Sequence, residues 1–177
     1  PGLTVRVMGL QPDSAQPDVR ILEALEAAGA KVASSGRDTT VTGPERLEAI
    51  DWDASQFPDG SMALAAVLSR AEGRSRIRGL HTLRVKETDR LAALAVELER
   101  LGCRTHIEGD DALIIEAGES KRRADPVTIA TYNDHRMAMA FAMLGLVREG
   151  IRIADPRCVE KSYPTFWQDL AIISGGA

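Results

Sequence analysis

A chain of 177 residues can bury a substantial core as one domain, and 44% apolar with 27% charged residues place it among globular proteins. Twenty-two basic against 26 acidic side chains leave a net charge of −4, which excludes a protein held to nucleic acid by phosphate contacts, while local basic pockets stay open. No stretch reaches the roughly 18 apolar residues of a membrane-spanning helix, and Cys103 and Cys158 have neither zinc-site nor disulfide-framework spacing. The expectation is a soluble cytoplasmic protein with reduced cysteines, no metal and no cofactor. The chain opens at Pro1 inside an apolar alternation, so a fragment of a longer protein is expected.

Thr4 to Leu10 alternates like a strand, and Asp18 to Ala28 places Val19, Leu22, Leu25 and Ala28 on one helical face that Gly29 ends. Lys31 to Gly43 reads as two short strands turning near Gly36-Arg37-Asp38, and Glu48 to Asp53 as another strand. After the break at Phe57-Pro58-Asp59-Gly60, Ser61 to Arg70 forms a small helix that is apolar nearly all round.

The pattern then begins again. Arg74 to Leu80 echoes the opening strand, a helix over Glu87 to Leu101 ends at Gly102 as the first ended at Gly29, and Arg104–Glu108 with Ala112–Glu116 form a hairpin. Val127 to Ala130 is the next strand, Met137 to Leu146 repeats the apolar helix, and a third copy opens at Ile151–Ala154 and closes with a helix over Tyr163 to Ile173. The period is about 70 to 77 residues. Units spanning 4–73 and 76–150, with a partial unit 151–177, predict an α/β (α+β) fold whose apolar helices are central.

Arg84-Val85-Lys86-Glu87-Thr88-Asp89-Arg90 sits immediately before the strongest amphipathic run. With a helix starting near Glu87, Lys86 and Arg90 share a face four residues apart and two cations flank one carboxylate. A helix N-terminus already has unpaired N–H groups and a positive dipole end, so cations placed there suit a bound anion. The ordinary alternative is an exposed helix start with self-compensating charges.

The same run resembles a signature of the 5-enolpyruvylshikimate-3-phosphate synthase family. Tyr132-Asn133-Asp134-His135-Arg136-Met137-Ala138-Met139 is similar to that family's His-Arg motif, and Lys161-Ser162-Tyr163-Pro164-Thr165-Phe166-Trp167 to its C-terminal lysine motif, in the expected order. The resemblance covers the C-terminal portion of that two-domain enzyme. It implies repeated βαβαββ units around inner helices and a reaction that joins the 5-hydroxyl of shikimate 3-phosphate to phosphoenolpyruvate. No cofactor is implied.

By the resemblance, Asp59 accepts the hydroxyl proton and Glu87 transfers a proton, while Lys86, Arg90, His135, Arg136 and Lys161 bind substrate. Thr82 stands where the family has an asparagine that contacts the shikimate hydroxyls. Each residue also has an ordinary reading. Asp59, Asn133 and Asp134 are competent helix caps, His135 is a surface or capping residue, and Lys161 is a solvated loop lysine. Tyr132 and Trp167 read as packing residues, and His81, His106, Cys103 and Cys158 as structural. Partners implied are phosphoenolpyruvate, shikimate 3-phosphate and an N-terminal domain, without nucleic acid or membrane. Two alternatives stand beside this one: a related enolpyruvyl transferase acting on a sugar nucleotide such as UDP-N-acetylglucosamine, and a non-catalytic anion-binding module of the same fold.

Overall fold

The computed structural model describes residues 2–11, 14–118 and 126–175. Strand β1 (Thr4–Val7), helix α1 (Ile21–Ala27), strands β2 (Lys31–Ser35), β3 (Asp38–Thr42) and β4 (Asp51–Asp53), and helix α2 (Ser61–Leu68) come first. Strand β5 (Arg74–Arg78), helix α3 (Arg90–Arg100), strands β6 (Arg104–Glu108), β7 (Ala112–Glu116) and β8 (Val127–Ile129), and helix α4 (His135–Gly145) follow. Strand β9 (Ile151–Ile153) and helix α5 (Phe166–Ile173) come last.

Several ends differ from the sequence expectation for local reasons. β1 stops at Val7, because Gly9 adopts φ +79° and its N–H donates to Asp38 Oδ1 at 3.1 Å. α1 begins at Ile21, behind a 3-10 turn over Pro17–Arg20. β4 begins at Asp51; Glu48 forms only an isolated bridge, with Glu72. α5 begins at Phe166, since the residue before Pro164 is steered away from helical backbone.

Three sheets form. Antiparallel β1-β3-β2 and the antiparallel part of β4-β5-β7-β6 share one wiring, in which the first strand pairs with the second arm of a hairpin. β4 pairs parallel to β5, with Asp51 opposite Arg76, and β8 pairs parallel to β9, with Val127 opposite Ile151. Parallel neighbours need a crossover, and α2 and α4 are those crossovers.

Being apolar all round, α2 and α4 lie inside and pack on each other, burying Met62, Leu64 and Leu68 against a core that includes Met137, Phe141 and Leu144. α3 is amphipathic. Leu91, Leu94 and Leu98 are fully buried while Val96 is exposed on its other side, and each such leucine stabilises the fold by about 1.5–3 kcal/mol relative to exposure. β1 contributes little to the core; Val5 and Val7 on it, and Leu3 and Met8 beside it, are all exposed. No described helix is long and apolar enough to cross a membrane.

Gly79 fixes the path of the loop that leads to α2. Its φ is +82°, and a Cβ there would lie 2.5 Å from the backbone nitrogen of Ser55. Gly79→Ala combines a strained φ with a collision against backbone, so a loss of about 2–4 kcal/mol is expected. Urea unfolding of the 177-residue chain measures it, and parent stability would show that the Ser55 loop is not pressed against β5.

Candidate functional site

Three loops end at helix N-termini close to one another, and each delivers a charged side chain. Arg90 opens α3, and its side chain is only 2% exposed. Its Nε donates to Asp134 Oδ2 at 2.6 Å and its Nη2 to Asp134 Oδ1 at 3.3 Å. Nη1 donates to Asp59 Oδ1 at 2.8 Å, and Nη2 also pairs with Glu87 Oε2 at 2.6 Å. A buried guanidinium costs several kcal/mol in lost hydration, which only well-made pairing offsets. Burial works against the charge, but Asp134 above all, then Asp59 and Glu87, raise the Arg90 pKa above its ordinary value.

Asp134 itself is completely buried. It caps α4 by accepting the Arg136 N–H at 2.8 Å on Oδ1, so one carboxylate spans the first turn of α4 and the head of Arg90. Burial would raise its pKa; the hydrogen bonds from Arg90 and Arg136 outweigh that and hold the carboxyl below the ordinary range.

Asp59 stands at the meeting point of the cations. It does not cap α2, whose N-cap is Gly60 without a side-chain bond. Its carboxylate instead lies 2.8 Å from Arg90, 3.4 Å from Lys86 Nζ and 3.6 Å from Arg136 Nη2. Arg136 also lies 3.5 Å from Asp18.

The helix that the sequence placed from near Glu87 starts three residues later. Asp89 caps it, accepting from Ala92 N at 3.0 Å, and Lys86 lies in extended backbone after a 3-10 turn over His81–Val85. Lys86 and Arg90 therefore do not share a helix face. They converge through Asp59 instead. α4 likewise starts two residues before Met137, because Asp134 caps it at His135.

His135 is 14% exposed on its side chain, and its Nδ1 is buried without a hydrogen-bond partner among the described residues. Burial pushes its pKa below 6.5, aided by Arg136 and Lys161 and opposed by Asp134 and Glu87. Lys161 is exposed, and its charge reaches both His135 and Cys158. Thr82 lies in the 3-10 turn over His81–Val85, with its Oγ1 buried and unpartnered among the described residues. Both cysteines are free and buried. No group of three or more His, Cys, Asp or Glu among the described residues is placed to hold a metal ion.

Sequence reasoning missed two partners. Asp134 was legible only as a cap, although Asn133 beside it made a second cap candidate redundant. Asp18 carried no signal, since its partner Arg136 lies 118 residues away.

The arrangement defines a class of protein: a mixed α/β chain whose helix N-termini gather carboxylates and cations into one cluster. The model of one family, EPSP synthase (3-phosphoshikimate 1-carboxyvinyltransferase), matches residues 1–170. A 3-phosphoshikimate 1-carboxyvinyltransferase from Nitrosomonas europaea is 44% identical over 98% of this chain and 40% of its own length, and one from Escherichia coli (strain SMS-3-5 / SECEC) is 40% identical over 99% and 40%. The EPSP synthase structure from Acinetobacter baumannii superposes with a TM-score of 0.76 at 30% identity, covering 98% of this chain and 42% of that one. An enolpyruvyl transferase, NikO from Streptomyces tendae, shares the fold, with a TM-score of 0.68 at 24% identity over 96% of this chain and 38% of its own. The chain therefore belongs to the EPSP synthase family and has the enolpyruvyl-transferase fold. It spans about two-fifths of the length of the curated relatives it matches.

Proposed function

We propose that this chain is the C-terminal part of a cytoplasmic enzyme that transfers the carboxyvinyl group of phosphoenolpyruvate to the 5-hydroxyl of shikimate 3-phosphate. The observation that carries the proposal is the position of Asp59, a carboxylate within ion-pair distance of Lys86, Arg90 and Arg136. Anion-binding cations and a proton acceptor in such contact suit a reaction between two anionic substrates.

In this reading Arg136, Arg90 and Lys161 bind the phosphoenolpyruvate, and Lys86 and His135 line the site. Arg90 is occupied by carboxylates, so an incoming anion replaces Glu87 and Asp59 on it and frees both for proton transfer. Asp59 takes the proton from the 5-hydroxyl as its oxygen bonds to C2 of phosphoenolpyruvate. Glu87, released from Arg90 and protonated from solvent, donates that proton to C3, giving a tetrahedral intermediate. Phosphate then leaves from C2, its departing oxygen taking the proton held by Asp59, while Glu87 recovers a proton from C3 and restores the carbon–carbon double bond. Thr82 is assigned to the shikimate side by motif position alone.

Residues 4–73 and 76–150 are, in the same proposal, two copies of one βαβαββ unit, and 151–177 begins a third. Their equal strand wiring and the parallel joins β4–β5 and β8–β9 support it. The remaining three-fifths of the relatives' length would supply the N-terminal domain and the opposite wall of the site. The chain alone should therefore release no phosphate from the two substrates, because one wall neither aligns the second substrate nor excludes water. Adding the N-terminal domain of the full-length protein should restore release. Activity from the chain by itself, or none after complementation with a domain that demonstrably associates, would overturn this reading.

A further inference from the structure

Tyr132 and Asn133, with φ of +54° and +56°, are the two non-glycine residues of the described structure with positive φ. Asparagine tolerates the left-handed region, but a bulky tyrosine enters it only where its surroundings hold it there. The surroundings are visible. Glu97, on α3 and 1% exposed, accepts the Tyr132 hydroxyl at 3.0 Å on Oε1 and the Ala130 N–H at 3.3 Å on Oε2. Arg100 Nη1 donates to the same carboxylate at 2.7 Å. Seven residues separate Arg90 from Glu97, nearly two helical turns, so both project from one face of α3. Glu97 grips the start of the turn, and Arg90 grips its end at Asp134.

We infer that the Tyr132-Asn133 turn, clamped to α3 by Glu97, is the device that positions Asp134 and thereby sets the geometry of the Arg90 and Arg136 side chains. Glu97 and Tyr132 are positioning residues, since neither contacts the ion-pair cluster itself. The left-handed pair reverses the backbone after β8 so that Asp134 Oδ1 meets the Arg136 N–H while Oδ2 meets Arg90 Nε. Without the tie, the turn has conformations of lower strain, in which one carboxylate no longer serves both. The assignment of this device to anion binding rests on the function proposed above; the positioning itself does not.

The test uses Tyr132→Phe, which removes one hydroxyl from a residue that is 40% exposed and should leave the fold intact, and Glu97→Gln as the stronger variant. Two readouts are taken on the 177-residue chain: hydrogen exchange and chemical shift of the Arg90 Nε–H by NMR, and affinity for inorganic phosphate and for phosphoenolpyruvate. The expected result is faster exchange and a shifted Arg90 signal in both variants. Anion affinity should weaken about 3- to 10-fold, the size of one lost hydrogen bond, while urea unfolding of Tyr132→Phe stays close to the parent. An Arg90 signal identical to the parent in both folded variants overturns the inference, as does a signal that changes only in step with global unfolding. If the parent binds neither anion but the Arg90 signal still responds, the positioning stands and the functional reading fails.

Discussion

Replacing Arg90 by methionine is expected to destabilise the 177-residue chain by about 3–5 kcal/mol, because the completely buried Asp134 carboxylate would be left without its partner. That is a large share of the roughly 5–15 kcal/mol by which a domain is stable. Lysine should be nearly as damaging. Its single ammonium head cannot present the planar fork that reaches Asp134, Asp59 and Glu87 at once. Adding Asp134→Asn to Arg90→Met should recover more than half of the loss by removing the stranded charge. The effect also depends on pH. The Asp134 pKa is lowered in the folded protein, so the pair's contribution is fully present above the ordinary carboxylate value of 3.8 and fades as pH falls through the lower folded value. The parent and Arg90→Met should therefore converge in acid. Urea unfolding at neutral and acid pH measures both, and a neutral-pH loss below about 1 kcal/mol would mean that Asp134 finds another partner.

The second large effect concerns rate. In the complemented enzyme, Asp59→Ala should lower kcat by about 10²- to 10⁴-fold, the usual worth of a positioned proton acceptor, with a smaller change in the KM for phosphoenolpyruvate. Arg136→Ala should separate from it by raising that KM and lowering kcat/KM by about 1.5–3 kcal/mol of lost charge-assisted bonding. Its own ion pairs, at 3.5 and 3.6 Å and partly exposed, contribute little to stability, so the protein should remain folded. Steady-state kinetics at saturating shikimate 3-phosphate distinguishes the two roles. Parent parameters for both variants would remove this cluster from the active site.

Much of the architecture was legible because it is written in local periodicity. The alternation of Thr4 to Val7, the apolar runs of α2 and α4, the Leu91-Leu94-Leu98 stripe of α3 and the Gly109-Asp110-Asp111 turn each reflect interactions between residues a few positions apart. The Arg84–Arg90 run was legible as charge gathered at a helix start, whereas the His135-Arg136 and Lys161 motifs stood out through their resemblance to the family's motifs.

What only the tertiary structure decided is how those charges are shared. The sequence placed Lys86 and Arg90 on one helical face, whereas Asp89 ends the helix before Lys86 and the two cations meet at Asp59, 27 and 31 residues away in the chain. It offered Asp134 as a cap and Asp59 as another. Packing of α2 against α4 and α3 turned both toward Arg90, Asp59 in place of capping and Asp134 while still capping α4, because a guanidinium buried at that junction needs carboxylates from the loops that reach it. Local propensity fixes where a helix begins to within about three residues, but partners brought together by packing carry no mark of their pairing along the chain. Sequence determined which residues were charged and that they gather near helix starts; the fold determined that Arg90 is a buried hub, that Asp134 is its anchor, and that Asp59 is held among three cations.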